Sequence, residues 1–395
     1  MAVAHLGGVP EIARTSAPEA AKPLLPARAD IGVLGDDDGA VRRRCKAIGV
    51  RLRNLVRLVR NSDNARREAL RSRILFPFAA RVTPFLGVEQ DGVRYVVNTR
   101  DSAVSFQTFV NGGFAEDTMG SMLIGLERYA GIKTLDGLTV LEVGANIGTE
   151  TVSLLMRHGV ERVVAVEPDA ENVRFLRANL ALNGLQDRAE VHQLALSNTD
   201  DTLLLECSEE NCGDHRIRVA DPSGPDLIGE GKRATVEVVG RRLDSLAEVK
   251  AIDLDSIDLV WMDAQGHEGH ILAGAERLAA AGVPIVTEYW PYGLRRAGGL
   301  ERFHALVASG YSLVVDLREP TVALDAQRVA ELADRYTARE GADPSSAYTD
   351  LLLLSPPRLS RTLKQTFDQD AHLHVRARSA HTARSQTAPK QRALR

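Results

Sequence analysis

The segment Glu142-Val143-Gly144-Ala145-Asn146-Ile147-Gly148-Thr149 ends one apolar run and opens an amphipathic one. Such a junction predicts a buried strand that turns sharply into a helix. Glycines at the turn let the backbone approach a ligand, and the first N–H groups of a helix have no intrahelical partner. A second apolar run, 162–168, carries Glu167, 19 residues beyond Gly148. A carboxylate at a strand tip can accept both hydroxyls of a ribose, each charge-assisted bond being worth about 1.5–3 kcal/mol. Together these residues predict a nucleoside cofactor lying across the strand tips of an open sheet. A dinucleotide site requires G-x-G-x-x-G. Counted from Gly144, its second and third glycines are replaced by Asn146 and Thr149, so that pattern fails. The wider turn, preceded by the acid Glu142, suits a cofactor with an ammonium group and no phosphate. S-adenosylmethionine fits that description; a purely structural turn is the alternative.

A second group follows the apolar residues 259–262. Asp263 stands where that strand should emerge, Gly266 permits a turn, and His267 and Glu268 begin the next helix. Methyl transfer to a hydroxyl needs in-line positioning and a group that accepts the hydroxyl proton. Asp263 and His267 are the candidates. Their plain alternatives are a helix cap or cofactor-amine partner for Asp263, and a supporting hydrogen-bonder for His267. A competing mechanism recruits Asp263, His267, Glu268 and Glu288 as ligands for Mg²⁺. Spacing alone does not select a metal, and none is assigned. The polar loop 211–216 offers Asp214 and Arg216 as acceptor contacts, against the alternative of a surface turn. Glu288 and Trp290, in the run Glu288-Tyr289-Trp290-Pro291-Tyr292, are expected to border the acceptor, the rings stacking on a sugar face or packing as core.

Positioning these groups requires a regular scaffold. Apolar strand runs appear at 138–144, 162–168, 189–197, 257–264, 284–290, 311–317 and 350–355, with a further strand at 92–98. Amphipathic helical stretches fall at 116–129, 148–158, 170–183, 268–281 and 300–309. Continuous apolar strands alternating with helices predict an α/β fold, a parallel sheet covered on both faces. The 395 residues have 44% hydrophobic and 26% charged composition, which excludes a wholly disordered chain or a disulfide scaffold. Three cysteines suit a reducing, cytoplasmic compartment, and Cys207 with Cys212 lacks the second pair that a structural zinc site needs.

The formal charge of −4 is unevenly spread. Residues 41–73 hold twelve basic residues against Asp63 and Glu68, and 358–395 hold nine against Asp368 and Asp370. The body between them is strongly acidic, which is not the footprint of a nucleic-acid enzyme. Residues 1–40 read as a disordered segment, 41–73 as a basic helical extension, 74–357 as the catalytic domain, and 358–395 as a basic disordered tail. The 41–73 helix is expected to pack on the body; contact with an anionic membrane is the sharper alternative.

The ordered blocks YVVNTRDSAVS (95–105), LEVGANIGTETVSL (141–154), VVAVEPDAENVRFLRANLALNG (163–184), ALS (195–197), NCGDHRI (211–217), RRLDSL (241–246), VWMDAQGHEGHILAGA (260–275) and VTEYWPY (286–292) resemble the FkbM family of class I S-adenosylmethionine-dependent methyltransferases. The resemblance spans roughly 92–310. It implies a Rossmann-like, seven-stranded, mostly parallel sheet with helices on both faces, its last strand antiparallel. It implies methylation of a hydroxyl on a sugar, glycolipid or secondary metabolite, the acceptor being a small molecule or glycan. Carried onto this chain, it puts Glu142, Gly144, Asn146 and Gly148 around the methionine part of the cofactor. Glu167 holds the ribose, Ala195 and Leu196 lie near the adenine, and Asp263 faces the sulfonium. Methylation of nucleic acid or protein is disfavoured, because Asp263-Ala264-Gln265-Gly266 stands where an amino-methylating enzyme needs a Pro-Pro-aromatic tetrapeptide. A non-catalytic binding module is the remaining alternative.

Overall fold

The computed structural model describes residues 68–219, 222, 226–337 and 343–355. The expected disordered segment 1–40, most of the 41–73 helix and the 358–395 tail lie outside the described residues. The described end of the basic segment runs into a π-helical turn, Arg71–Leu75, and a short helix, Phe76–Ala79.

The main sheet is built from β3 (Thr139–Val143), β4 (Arg162–Val166), β5 (Ala189–His192), β10 (Leu259–Met262), β11 (Ile285–Tyr289), β12 (Leu313–Asp316), β13 (Ala323–Asp325) and β14 (Thr349–Leu354). Its order is β13-β12-β14-β11-β10-β3-β4-β5. Strands β11, β10, β3, β4 and β5 are parallel, and β14 runs antiparallel between β11 and β12, as the resemblance implies. The expected count of seven is corrected to eight. The extra strand, β13, is a three-residue edge strand antiparallel to β12, too short and too exposed to leave an apolar run in the sequence.

Two faces of this sheet hold two cores, and the strands alternate between them as a period of two requires. Val140, Trp261 and Leu352 pack into one core; Leu141, Val260 and Leu351 pack into the other. The helices Thr149–Arg157 and Ala170–Leu182 cover the first face, and Leu300–Gly310 covers the second. Burial on both sides explains why these strands read as continuous apolar runs.

Three other expectations shift. The 92–98 strand is half of a hairpin, β1 (Phe85–Gln90) with β2 (Val93–Asn98), closed by Asp91-Gly92 with both residues at positive φ. That dipeptide is the signal that should have revealed the first strand. The 189–197 run is not one strand. It breaks after β5, and β6 (Ala195–Leu196) leaves the main sheet to join β7 (Thr202–Cys207), β8 (Arg216–Arg218) and β9 (Ala234–Arg241) in a second sheet of order β6-β9-β7-β8. The 268–281 helix is two, Glu268–Ala273 and Glu276–Ala281. They part at Gly274, where a Cβ would stand 2.0 Å from the Ser197 carbonyl oxygen. The main-sheet edge and this second sheet leave a cleft at the C-terminal ends of the parallel strands. No helix among the described residues is long and apolar enough to cross a membrane.

Candidate active site

The cleft holds a cavity of about 890 Å³. Gly144, Asn146, Glu167, Ala195, Leu196, Asp214, Arg216, Asp263, His267, Glu288 and Trp290 all line it. Glu142 and Gly148 do not. Glu142 is buried under the first helix, where its carboxylate accepts a hydrogen bond from Thr151 Oγ1 at 2.6 Å, and burial raises its pKa well above the carboxylate range. Gly148 is the N-cap of Thr149–Arg157 at φ +82°, with Leu176 pressed where a Cβ would be. Both residues shape the turn from behind.

Gly144 joins the two central strands. At φ +85°, its missing Cβ would stand 1.8 Å from the Asp263 carbonyl oxygen. Its N–H donates to Val166 O, and the Asp263 N–H donates to Val143 O. The tips of β3, β4 and β10 are thereby fixed against one another.

Glu167, 4% exposed, is held by main-chain donors. The Asn146 N–H donates to Oε2 at 2.9 Å and the Asp169 N–H to Oε1 at 2.8 Å. Burial outweighs these bonds and lifts its pKa to about 7. Asn146, in the left-handed region at φ +50°, has a second task. Its side-chain amide and that of Asn172 both donate to the Cys212 carbonyl, at 2.9 and 3.1 Å. The Cys212 thiol donates to Asp101, and Ser102 donates twice to the Glu210 carbonyl. The 210–215 loop is thus tied across the Glu167 side of the cavity.

Asp214 and Arg216 sit on that wall and are bound to each other. Asp214 pairs with Arg216 and Arg233, while Arg216 also reaches Glu230 Oε1 at 2.9 Å. The Arg216 guanidinium lies 4.5 Å from the centre of the Trp290 ring, and Trp290 Nε1 donates to Pro344 O. Trp290 is 3% exposed, so it serves as wall more than as an open stacking platform.

Beside that wall Gln265 bridges two acids, donating to Asp263 Oδ1 at 2.7 Å and to Glu288 Oε2 at 3.2 Å. Burial raises the pKa of both carboxyls. His267 faces away from them: its Nε2 lies 3.0 Å from Ser197 Oγ and its ring stacks on His270 at 4.6 Å. Burial first, then the neighbouring His270 and Arg302, pulls its pKa down to about 3. Sequence reasoning missed Glu150 and Asp350, two further acids on the wall whose pKa values burial raises to about 7. Glu150 is one residue into the helix after the glycine turn, and Asp350 is the lone acid in an apolar strand; both signals were visible.

Residues 142–291 match the family model described as the methyltransferase FkbM domain. The 2-O-methyltransferase NoeI of Sinorhizobium fredii is 28% identical over 159 residues, covering 38% of this chain and 62% of that protein. The match thus spans less than two thirds of that relative. Among solved structures, an O-methyltransferase from Bacillus cereus in complex with SAH aligns over 62% of this chain and 82% of its own, at 14% identity and a TM-score of 0.32. The methyltransferase FkbM from Methylobacillus flagellatus aligns over 72% and 60%, at 15% identity and a TM-score of 0.31. Over residues 142–291 the chain is thus similar to the methyltransferase FkbM domain family.

Proposed function

We propose that the cavity binds S-adenosylmethionine and that the enzyme methylates a hydroxyl of a small molecule or glycan. The observation that carries this reading is the buried Glu167 beside the Gly144 turn, on the wall of an acid-lined cavity that Asp263 also lines. The residues suit such a cofactor. Glu167 keeps lone pairs for ribose hydroxyls beyond its main-chain donors, Ala195 and Leu196 offer an apolar edge for a base, and the surrounding acids favour a cation. When bound, the cofactor supplies a methyl group made electrophilic by its sulfonium.

The chain's own residues do the rest. The tied loop 210–215 encloses the cavity and holds reactants in register, which supplies much of the rate of an in-line transfer. Asp263 takes the proton of the acceptor hydroxyl, and burial strengthens it as a base by raising its pKa. His267, with a pKa near 3, is too weak a base for that task and instead positions the Ser197 turn. Asp214, Arg216, Glu288 and Trp290 border the acceptor. A hydroxyl acceptor is favoured by the name of the NoeI relative, a 2-O-methyltransferase.

Calorimetry of S-adenosylmethionine binding tests the reading. Glu167→Ala should weaken affinity at least tenfold, about 1.4 kcal/mol. Absence of binding to the folded wild type would overturn the cofactor and the function together. Turnover with hydroxylated acceptors, sugars first, then identifies the substrate class.

A further inference from the structure

We propose that Asp263, Glu268 and Glu288 together bind one divalent cation of the hard, oxygen-preferring class of Mg²⁺ and Mn²⁺. Carboxylate oxygens of the three lie within 4.8 Å of one another. Two oxygens on opposite sides of an octahedral Mg²⁺ stand about 4.2 Å apart, so small side-chain shifts bring the set onto one ion.

The way each carboxylate is held points to the same conclusion. One oxygen of each has a donor: Gln265 Nε2 for Asp263 Oδ1 and Glu288 Oε2, and the N–H groups of Ala264 and Gly266 for Glu268 Oε1. The second oxygens of Glu268 and Glu288 take no hydrogen bond among the described residues, and the Asp263 carboxyl receives besides only the Gln265 N–H. Glu268 makes the point most sharply, being 0% exposed with Oε2 buried and without any partner. Orientation of one ligand oxygen by outer donors while the other is left free is the habit of metal-binding carboxylates. A buried acceptor left unsatisfied otherwise costs about 1–3 kcal/mol, and more when charged.

A cation would also balance the charge of the cluster. None of the three forms an ion pair among the described residues. The nearest guanidinium to act on Glu288, that of Arg216, is committed to Asp214 and Glu230. Asp263 and Glu288 line the cavity while Glu268 stands behind them, so the remaining coordination positions of an ion would open toward the acceptor. His267, which the sequence grouped with these acids, is not part of the cluster.

The test is a Mn²⁺ titration of the full chain, stripped with EDTA and desalted, followed by the electron paramagnetic resonance signal of free Mn²⁺. The titration contains no cofactor, so its outcome is independent of the methyl-transfer reading. One Mn²⁺ per chain, displaced by Mg²⁺, is expected. Glu268→Gln should weaken binding at least tenfold, and it keeps a carbonyl oxygen for the two main-chain donors, so the fold is retained. Glu288→Gln gives the same result through a different residue. Glu167→Gln, in the same cavity but outside the cluster, should leave the affinity unchanged. No saturable binding by the folded chain would overturn the proposal and leave protons as the neutralising charge. Equal affinity in Glu268→Gln and Glu288→Gln would overturn it too.

Discussion

On the β3–β4 side of the cavity, charge is held by main chain. Glu167 takes N–H groups from Asn146 and Asp169, and the loop above it hangs from two amide side chains that grip one carbonyl. On the β10–β11 side, the acids that line the cavity are held mainly by side chains, and main-chain donors serve Glu268 behind them. Asp263 and Glu288 share the amide of Gln265, and among the described residues Asp350 takes only a long bond from Thr118 at 3.3 Å. Main-chain donors are fixed by the fold and serve any sequence that makes the turn. Side-chain donors can be exchanged one residue at a time. The first arrangement suits a constant ligand, the second an acceptor that differs from one enzyme to the next.

The two sides meet at Gly144, and the largest expected effect comes from breaking that meeting. Gly144→Ala places a Cβ in the Asp263 carbonyl and asks an alanine to hold φ +85°. Left-handed strain costs about 1–3 kcal/mol and overpacking a similar amount. A loss of about 3 kcal/mol or more in denaturant unfolding is expected, with loss of cofactor binding. Unchanged stability would mean that the two sides are not locked through this glycine.

The same division separates what the sequence reveals from what it hides. The Gly144 turn and Glu167 are legible because they are local: a strand end, a turn and an acid at fixed spacing. The buried strands are legible because both faces are covered. The break between β5 and β6 is hidden, since Ala189 to Ser197 is apolar enough for one strand and only pairing with β9 pulls Ala195 and Leu196 away. Glu142 looks like a ligand contact from spacing, yet the pleat turns it into the core toward Thr151. The grouping of Asp263, Glu268 and Glu288 is half legible: the sequence suggests these acids as one ligand set together with His267, but only the fold shows that His267 turns to Ser197 instead.

A smaller effect distinguishes the two sides by pH. Burial lifts Glu150, Glu167, Glu268 and Asp350 to about 7. Their unfolded values lie near 4.3 for the glutamates and 3.9 for the aspartate. Between those limits the folded state holds more protons than the unfolded one, so stability falls as pH rises through that window and is highest on its acid side. The ligand-free melting temperature should therefore drop between pH 5 and 7.5. Asp350→Asn should flatten that slope slightly more than Glu167→Gln, because both acids reach about 7 in the fold and an aspartate starts lower in the unfolded chain. No flattening in either variant would mean that these buried acids do not carry the pH dependence.

The smallest effect concerns His267. It lies on the wall of the acceptor side, yet its ring nitrogen is turned to Ser197 Oγ and its pKa near 3 keeps it neutral throughout the working pH range. A proton acceptor for a hydroxyl works best with a pKa near the operating pH, and a buried carboxylate meets that condition better than this imidazole. His267→Gln should retain a hydrogen-bonding side chain beside Ser197 and remove the titratable ring. Less than a tenfold fall in kcat is expected, with about 1 kcal/mol lost from stability for an imperfect hydrogen bond. The acid limb of the pH–rate profile should not move, because the group responsible is still present. Asp263→Asn should remove that limb and most of the rate. A loss in His267→Gln beyond a hundredfold, with the acid limb gone, would transfer the proton to the imidazole and make the acceptor side a histidine site with supporting acids.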